Sequence, residues 1–261
     1  MIVVVPVDPP HEALAPDSLL EHDSFAAADW PAYYRAMVAD VVNAVASSGG
    51  DLLINYRDEE TLLDDVAVDD PEAAVRAMVL EALGDLESLD GDAEVGEGAE
   101  AVRFERQVGS TRAARVGNTV THLLEREEVQ SVGVLEPTAP LVGRTEIDGV
   151  AMSLRRNEVV LGPSQGGDVY LAAFTEPIDF TDAFAEPAVS TLTTRANDAG
   201  LGVGFAPRVP TVTDRRGLVG TAAEARARRV AGRVVPEQTL SVLEGDTDTD
   251  ADTDIDTDNA F

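Results

Sequence analysis

The chain has 261 residues and 44% of them are apolar, enough for one large domain with a substantial core, so disorder of the whole chain is excluded. Its formal charge is −30, from 49 acidic and 19 basic residues, and every basic residue is Arg. That excess disfavours nonspecific binding to duplex nucleic acid, and the absence of Cys excludes disulfides, thiolate catalysis and thiolate metal sites.

Acidic residues spread along the whole chain, with no Lys, fit a protein that works in molar salt. There the Debye length is roughly 3 Å, so like-charge repulsion is screened while carboxylates still hold water at the surface. The competing reading is an acidic protein of ordinary cytosol that mimics nucleic acid or binds basic partners; an excess on one face would favour it. The opening MIVVVPVDPP has only a short apolar run, no basic leader and early prolines. It reads as a buried strand and not a signal peptide, so a cytoplasmic location with no membrane partner is expected. Nothing in the sequence sets an oligomeric state.

Short β-branched runs alternate with segments of helical period, which predicts an α/β fold with a mostly parallel sheet flanked by helices. The first strand is expected over residues 2–7, followed by a Pro-rich loop through His11, Pro16 and His22. A helix over 30–46 ends at Ser47–Gly50, and a strand over 51–55 follows at once. A helix over 71–89 dissolves from Gly84 into an acidic loop that reaches residue 100. A strand near 102–104 leads to a helix over 111–126, then to an apolar strand over 131–135. A helix near 146–155, strands over 158–161 and 169–174, a helix near 187–199, a strand over 201–205 and an Arg-rich helix over 215–233 complete the series. Residues 1–240 are expected to form the domain and 241–261 a disordered, Asp/Thr-rich acidic tail. The tail's alternating Asp lacks the turn glycine and closing Glu of a calcium loop.

Ligands of open α/β sheets bind beyond the carboxyl ends of strands, so two loops are candidates. In Glu136-Pro137-Thr138-Ala139-Pro140 a carboxylate stands at a strand end in a stiff loop, where a hard cation or a ribose hydroxyl could be met. The same residues also read as a rigid turn with a surface Glu. In Gly162 to Asp168 the paired Gly166 and Gly167 would let a backbone approach a ligand, with Gln165, Asp168 and Tyr170 beside them; the alternative is a plain Gly-Gly turn. The Gly200, Gly202 and Gly204 series lies in an apparent strand and is no dinucleotide fingerprint. The histidines lack any metal or triad spacing, and the seven Arg from 208 to 233 read as partners for the protein's own acids.

Taken in order, several of these segments resemble the DUF2064 family of GT-A-like glycosyltransferase and nucleotidyltransferase relatives. They are the opening strand with its Pro-containing loop, Ala32-Tyr33-Tyr34-Arg35-Ala36-Met37, Gln107 before a helix, Pro137 to Pro140 after a strand, and Gly162 to Gly167 leading to Tyr170-Leu171. The resemblance implies a single GT-A-like domain and a nucleotide- or nucleotide-sugar-dependent transferase. It implies a nucleotide contacted by Pro6, Thr138, Gln165, Gly166, Gly167 and Asp168, and a Mg2+ or Mn2+ ion held by Glu136 and Asp214. The sequence also departs from the family. Its first loop, Pro9-Pro10-His11-Glu12, has no cation for phosphates; the family's metal-binding Asp falls on Leu135; and a late acidic motif is reduced to Asp214. Those losses raise the alternative of a catalytically silent GT-A-like module for binding or regulation.

Overall fold

The computed structural model describes residues 1–21, 25–62, 66–89 and 102–249, with the side chains of 85–89 and 246–249 left aside. Its centre is a seven-stranded sheet in the order β3-β2-β1-β4-β6-β5-β7. The strands are β1 (Ile2–Val7), β2 (Asp51–Tyr56), β3 (Arg103–Arg106), β4 (Val132–Leu135), β5 (Val159–Pro163), β6 (Val169–Phe174) and β7 (Val203–Phe205). β6 runs antiparallel to both its neighbours, and every other pairing is parallel. The expected mostly parallel α/β sheet is what forms.

Both faces of the sheet are covered, which is why β1 is a continuous apolar run and does not alternate with polar residues. Val3, Val5 and Val7 point into one core and Val4 into the other. The first core is covered by α2 (Trp30–Ala46), α3 (Pro71–Leu89), α5 (Arg144–Ser153), α7 (Arg215–Val230) and α8 (Glu237–Thr249); α1 (Asp17–Leu20) is a single turn beside it. The second is covered by α4 (Arg112–Glu125) and α6 (Ala188–Asp198). Val41, Val42, Leu123 and Leu192 are fully buried on these helices, and burying such a side chain contributes about 1.5–3 kcal/mol.

Most expected elements are found within two or three residues. The helix from Pro71 runs to Leu89 as expected and passes through Gly84 without ending there; residues 90–100 of the acidic loop and His22 lie outside the described residues. The larger difference is α8, for which no helix was expected. It passes the anticipated boundary at residue 240, and its Leu240 and Leu243 are buried in the first core. Two backbone N–H groups of its first turn, Gln238 and Thr239, donate to the Asp40 carboxylate of α2. A remote carboxylate thus caps this helix start, and no local sequence signal carries such a cap. Residues 250–261 lie outside the described part.

Candidate functional site

β1 connects toward β2 and β3 on one side, while β4 lies on its other side, so the strand order reverses at β1 and β4. A crevice outside the carboxyl ends of strands at such a point is where ligands bind in α/β sheets. A cavity of about 210 Å³ lies there. Pro6 and Asp8 come from the end of β1, Asn55 and Arg57 from β2, and Glu136, Pro137 and Thr138 from β4. Trp30 and Tyr34 of α2 form one wall, and Arg112, Arg115, Val116 and Thr119 of α4 the other. A wider depression of about 600 Å³ lies on the far side of α4 against residues 178–182. It is shallow and meets no carboxyl end of a parallel strand, so the crevice is the better candidate.

Acids and arginines alternate across the crevice. Glu136 Oε1 accepts from Arg112 Nη2 at 2.7 Å, and Asp8 lies 3.6 Å from Arg57. Burial pushes the Glu136 carboxyl above its usual range; Arg112 opposes this, and the negative charges of Asp168 and Asp8 add to it. Asp8 is likewise raised by burial, against the pull of Arg57 and Arg115. Arg115 forms no ion pair among the described residues. Burial, with Arg57 beside it, pushes its guanidinium below the ordinary Arg value. Arg57 also donates to the Thr61 carbonyl, and the Arg112 guanidinium lies 4.8 Å from the centre of the Phe184 ring.

A buried amide network sets the geometry of Arg115. Gln107 Oε1 accepts from Arg115 Nε at 2.6 Å, and Gln107 Nε2 donates to the Asn55 carbonyl at 2.7 Å. Asn55 Nδ2 donates to the Glu105 carbonyl, while its Oδ1 faces the Thr119 hydroxyl at 3.1 Å. Gln107 and Asn55 are 4% and 3% exposed, so the network is fixed by the ends of β2 and β3. On the α2 side, the Asp8 N–H donates to the Tyr34 hydroxyl, and the Trp30 and Tyr34 rings lie 5.4 Å apart.

The residues singled out in the sequence divide between two places. Pro6, Glu136 and Thr138 line the crevice, and the Thr138 hydroxyl is buried without a hydrogen-bond partner among the described residues. Asp168 does not line it, but its charge acts on both Glu136 and Arg112. Gln165 is tied to the Thr211 backbone through both ends of its amide. Gly166 and Gly167 have φ of +67° and +86°, conformations that favour glycine, and a Cβ on Gly167 would lie 2.8 Å from Pro187. This turn is therefore shaped by packing against Pro187 and Thr211. Asp214 accepts from the Gly217 N–H at 2.6 Å as the N-cap of α7.

Glu136 is engaged by Arg112 and Asp214 by its helix, and no group of three His, Asp or Glu among the described residues is arranged to hold a metal ion. Glu136 and Asp214, the two acids expected to hold Mg2+ or Mn2+, are thus each held by the protein's own groups. Other expectations also resolve into structure: His11 Nδ1 caps a short turn, His122 lies 3.2 Å from Glu127, and Arg228 and Arg229 pair with Glu224, Glu237 and Glu244. Arg57, Arg112 and Arg115 were not singled out in the sequence. Arg112 and Arg115, three apart in the first turn of the helix after Gln107, share one face; that spacing is the signal that could have found them.

No protein-family model matches the chain, and no curated protein matches it by sequence. Solved structures do. A protein of Desulfovibrio desulfuricans G20 that has been assigned the name nucleotide-diphospho-sugar transferase matches at a TM-score of 0.70 and 16% identity, over 95% of each chain. CMP:2-keto-3-deoxy-manno-octonic acid synthetase complexed with CTP matches at 0.47 and 11%, over 87% of this chain and 98% of that one. A 4-diphosphocytidyl-2C-methyl-D-erythritol synthase of Anaerococcus prevotii matches at 0.46 and 10%, over 86% and 96%. The two weaker matches carry no argument. The first shows that this chain has a nucleotide-diphospho-sugar transferase-like fold.

Proposed function

We propose that the chain binds a nucleotide or nucleotide-sugar in the crevice outside β1, β2 and β4 and acts in glycosyl or nucleotidyl transfer, as a divergent relative of the DUF2064 group. One observation carries the reading: in a chain of charge −30, three arginines converge on the cavity at the strand-order reversal. With Asp8 and Glu136 beside them, the three arginines leave the crevice less acidic than the rest of the molecule, so an anionic ligand is repelled least there. The aromatic wall of Trp30 and Tyr34 takes the base or sugar, Pro6 and Thr138 remain as neighbours of the ligand, and Asp168 acts from outside the crevice through its charge on Glu136 and Arg112. A second reading, a catalytically silent binding or regulatory module, is favoured by the commitment of Glu136 to Arg112 and of Asp214 to its helix.

Thermal shift in molar KCl against a panel of nucleotides and nucleotide-sugars tests the binding, because a ligand that prefers the folded state raises the melting temperature. At least one of them is expected to stabilise the chain. Stabilisation by none overturns the transferase reading and leaves the silent module.

A further inference from the structure

We propose that Arg57, Arg112 and Arg115 form a binding site for the di- or triphosphate chain of a nucleotide that needs no divalent cation. The proposal rests on the nucleotide reading of the crevice and adds what neutralises the phosphates there.

The three side chains come from separate parts of the sheet edge and reach one cavity. Arg57 directly follows the last residue of β2, and Arg112 and Arg115 lie on one face of the first turn of α4. The orientation of Arg115 is set in advance: its Nε is held by Gln107, which leaves the two terminal nitrogens for a ligand, and a guanidinium fork matches phosphate oxygens in pairs.

The charge balance points the same way. Arg115 sits near two other arginines and, although the charge of Asp8 acts on it, forms no ion pair with any described carboxylate. A polyanion relieves that crowding. The two carboxylates that line the crevice, Asp8 and Glu136, each face an arginine, Arg57 and Arg112, and no group of three acids or His that could hold a cation occurs among the described residues. In place of carboxylates that hold a metal that holds phosphate, the crevice offers guanidinium groups directly, and they can contact phosphate without a bridging ion.

The test is calorimetric titration of the full chain with inorganic pyrophosphate, at the lowest KCl concentration that keeps it folded by circular dichroism, once in EDTA and once in excess MgCl2. Saturable binding is expected in EDTA, with Mg2+ leaving it unchanged or weakening it by occupying the same oxygens. Arg115→Gln is expected to weaken binding at least about tenfold, and Arg155→Gln, an exposed cation that does not line the crevice, to leave it unchanged. If Arg115→Gln does not fold, Arg57→Gln makes the same comparison. Binding that requires Mg2+, or an equal loss in Arg155→Gln, overturns the proposal. Nucleotides that stabilise the chain only with Mg2+ overturn it while leaving the nucleotide reading intact. Pyrophosphate binding in EDTA with no effect of any nucleotide supports the arginine site and removes the nucleotide reading.

Discussion

Gln107 holds Arg115 by a 2.6 Å hydrogen bond to Nε and is itself anchored to the backbone of Asn55. One buried amide thus couples the ends of β2 and β3 to a cation in the crevice. Gln107→Leu removes a side-chain donor from the Asn55 carbonyl and the acceptor from Arg115 Nε, leaving Arg115 free to turn. It is expected to cost about 1–3 kcal/mol of stability and to weaken pyrophosphate binding less than Arg115→Gln does. Chemical denaturation in KCl reads the first effect and calorimetry the second; a binding loss equal to that of Arg115→Gln would contradict a positioning role.

Gly166 and Gly167 separate conformation from packing. Both have positive φ, but a Cβ at Gly166 meets nothing within 4 Å, whereas one at Gly167 meets Pro187 at 2.8 Å. Gly166→Ala is expected to cost about 1–2 kcal/mol from backbone strain alone, and Gly167→Val clearly more. Equal losses on denaturation would mean that Pro187 gives way without cost.

Asp40 makes the fold sensitive to pH. Burial raises its carboxyl from 3.8 to about 6 despite the two N–H donors of α8. Below about pH 4 both folded and unfolded states hold the proton. Between about 4 and 6 the folded state keeps it while the unfolded state releases it, so this group's contribution to stability falls as pH rises through that window. Asp40→Asn keeps an oxygen for one N–H and removes the titration. The wild type is therefore expected to lose stability relative to Asp40→Asn between pH 4 and pH 6.5. A change in the opposite direction would show that the helix amino terminus stabilises the ionised form more than burial opposes it.

Leu240, the last residue before what reads as an acidic tail, is fully buried. Leu240→Ala is expected to cost about 2–5 kcal/mol, the range for removing a large aliphatic side chain from a core. A loss under about 0.5 kcal/mol, ordinary for a surface position, would show that α8 does not dock in solution.

The charge of −30 carries the expectation of a protein adapted to salt. Raising KCl from dilute buffer to the molar range is expected to raise the melting temperature steeply, as repulsion among carboxylates is screened. A melting temperature indifferent to KCl contradicts that reading.

The sheet was legible because its physics is local. The Val run of β1 and the strand at Val169 to Phe174 announce strands buried on both faces, and the Ser-Gly stop after Ala46 marks the end of α2. What was not legible depends on distant partners. The start of α8 is held by Asp40, nearly two hundred residues away in sequence, and its Asp- and Thr-rich end hides the two leucines that dock it. In the crevice, strand ends pointed to the loop of Glu136 and Thr138, and the family resemblance added Pro6. Arg57, Arg112 and Arg115 looked like any arginines of an acidic chain until the topology brought them together. The glycine pair is ambiguous for the converse reason, since a turn packed on Pro187 and a turn that cradles phosphate use the same residues.

The most direct measurement of the central claim uses Trp30, the single tryptophan of the chain, which lies in the wall of the crevice. Its fluorescence is followed in KCl while a nucleotide that stabilises the chain is added, on wild type and on Arg115→Gln. A ligand in the crevice predicts a saturable change in emission whose midpoint agrees with calorimetry and moves to higher concentration in the variant. Calorimetric binding that leaves Trp30 emission unaltered, with the same affinity in Arg115→Gln, would place the nucleotide elsewhere and contradict the account.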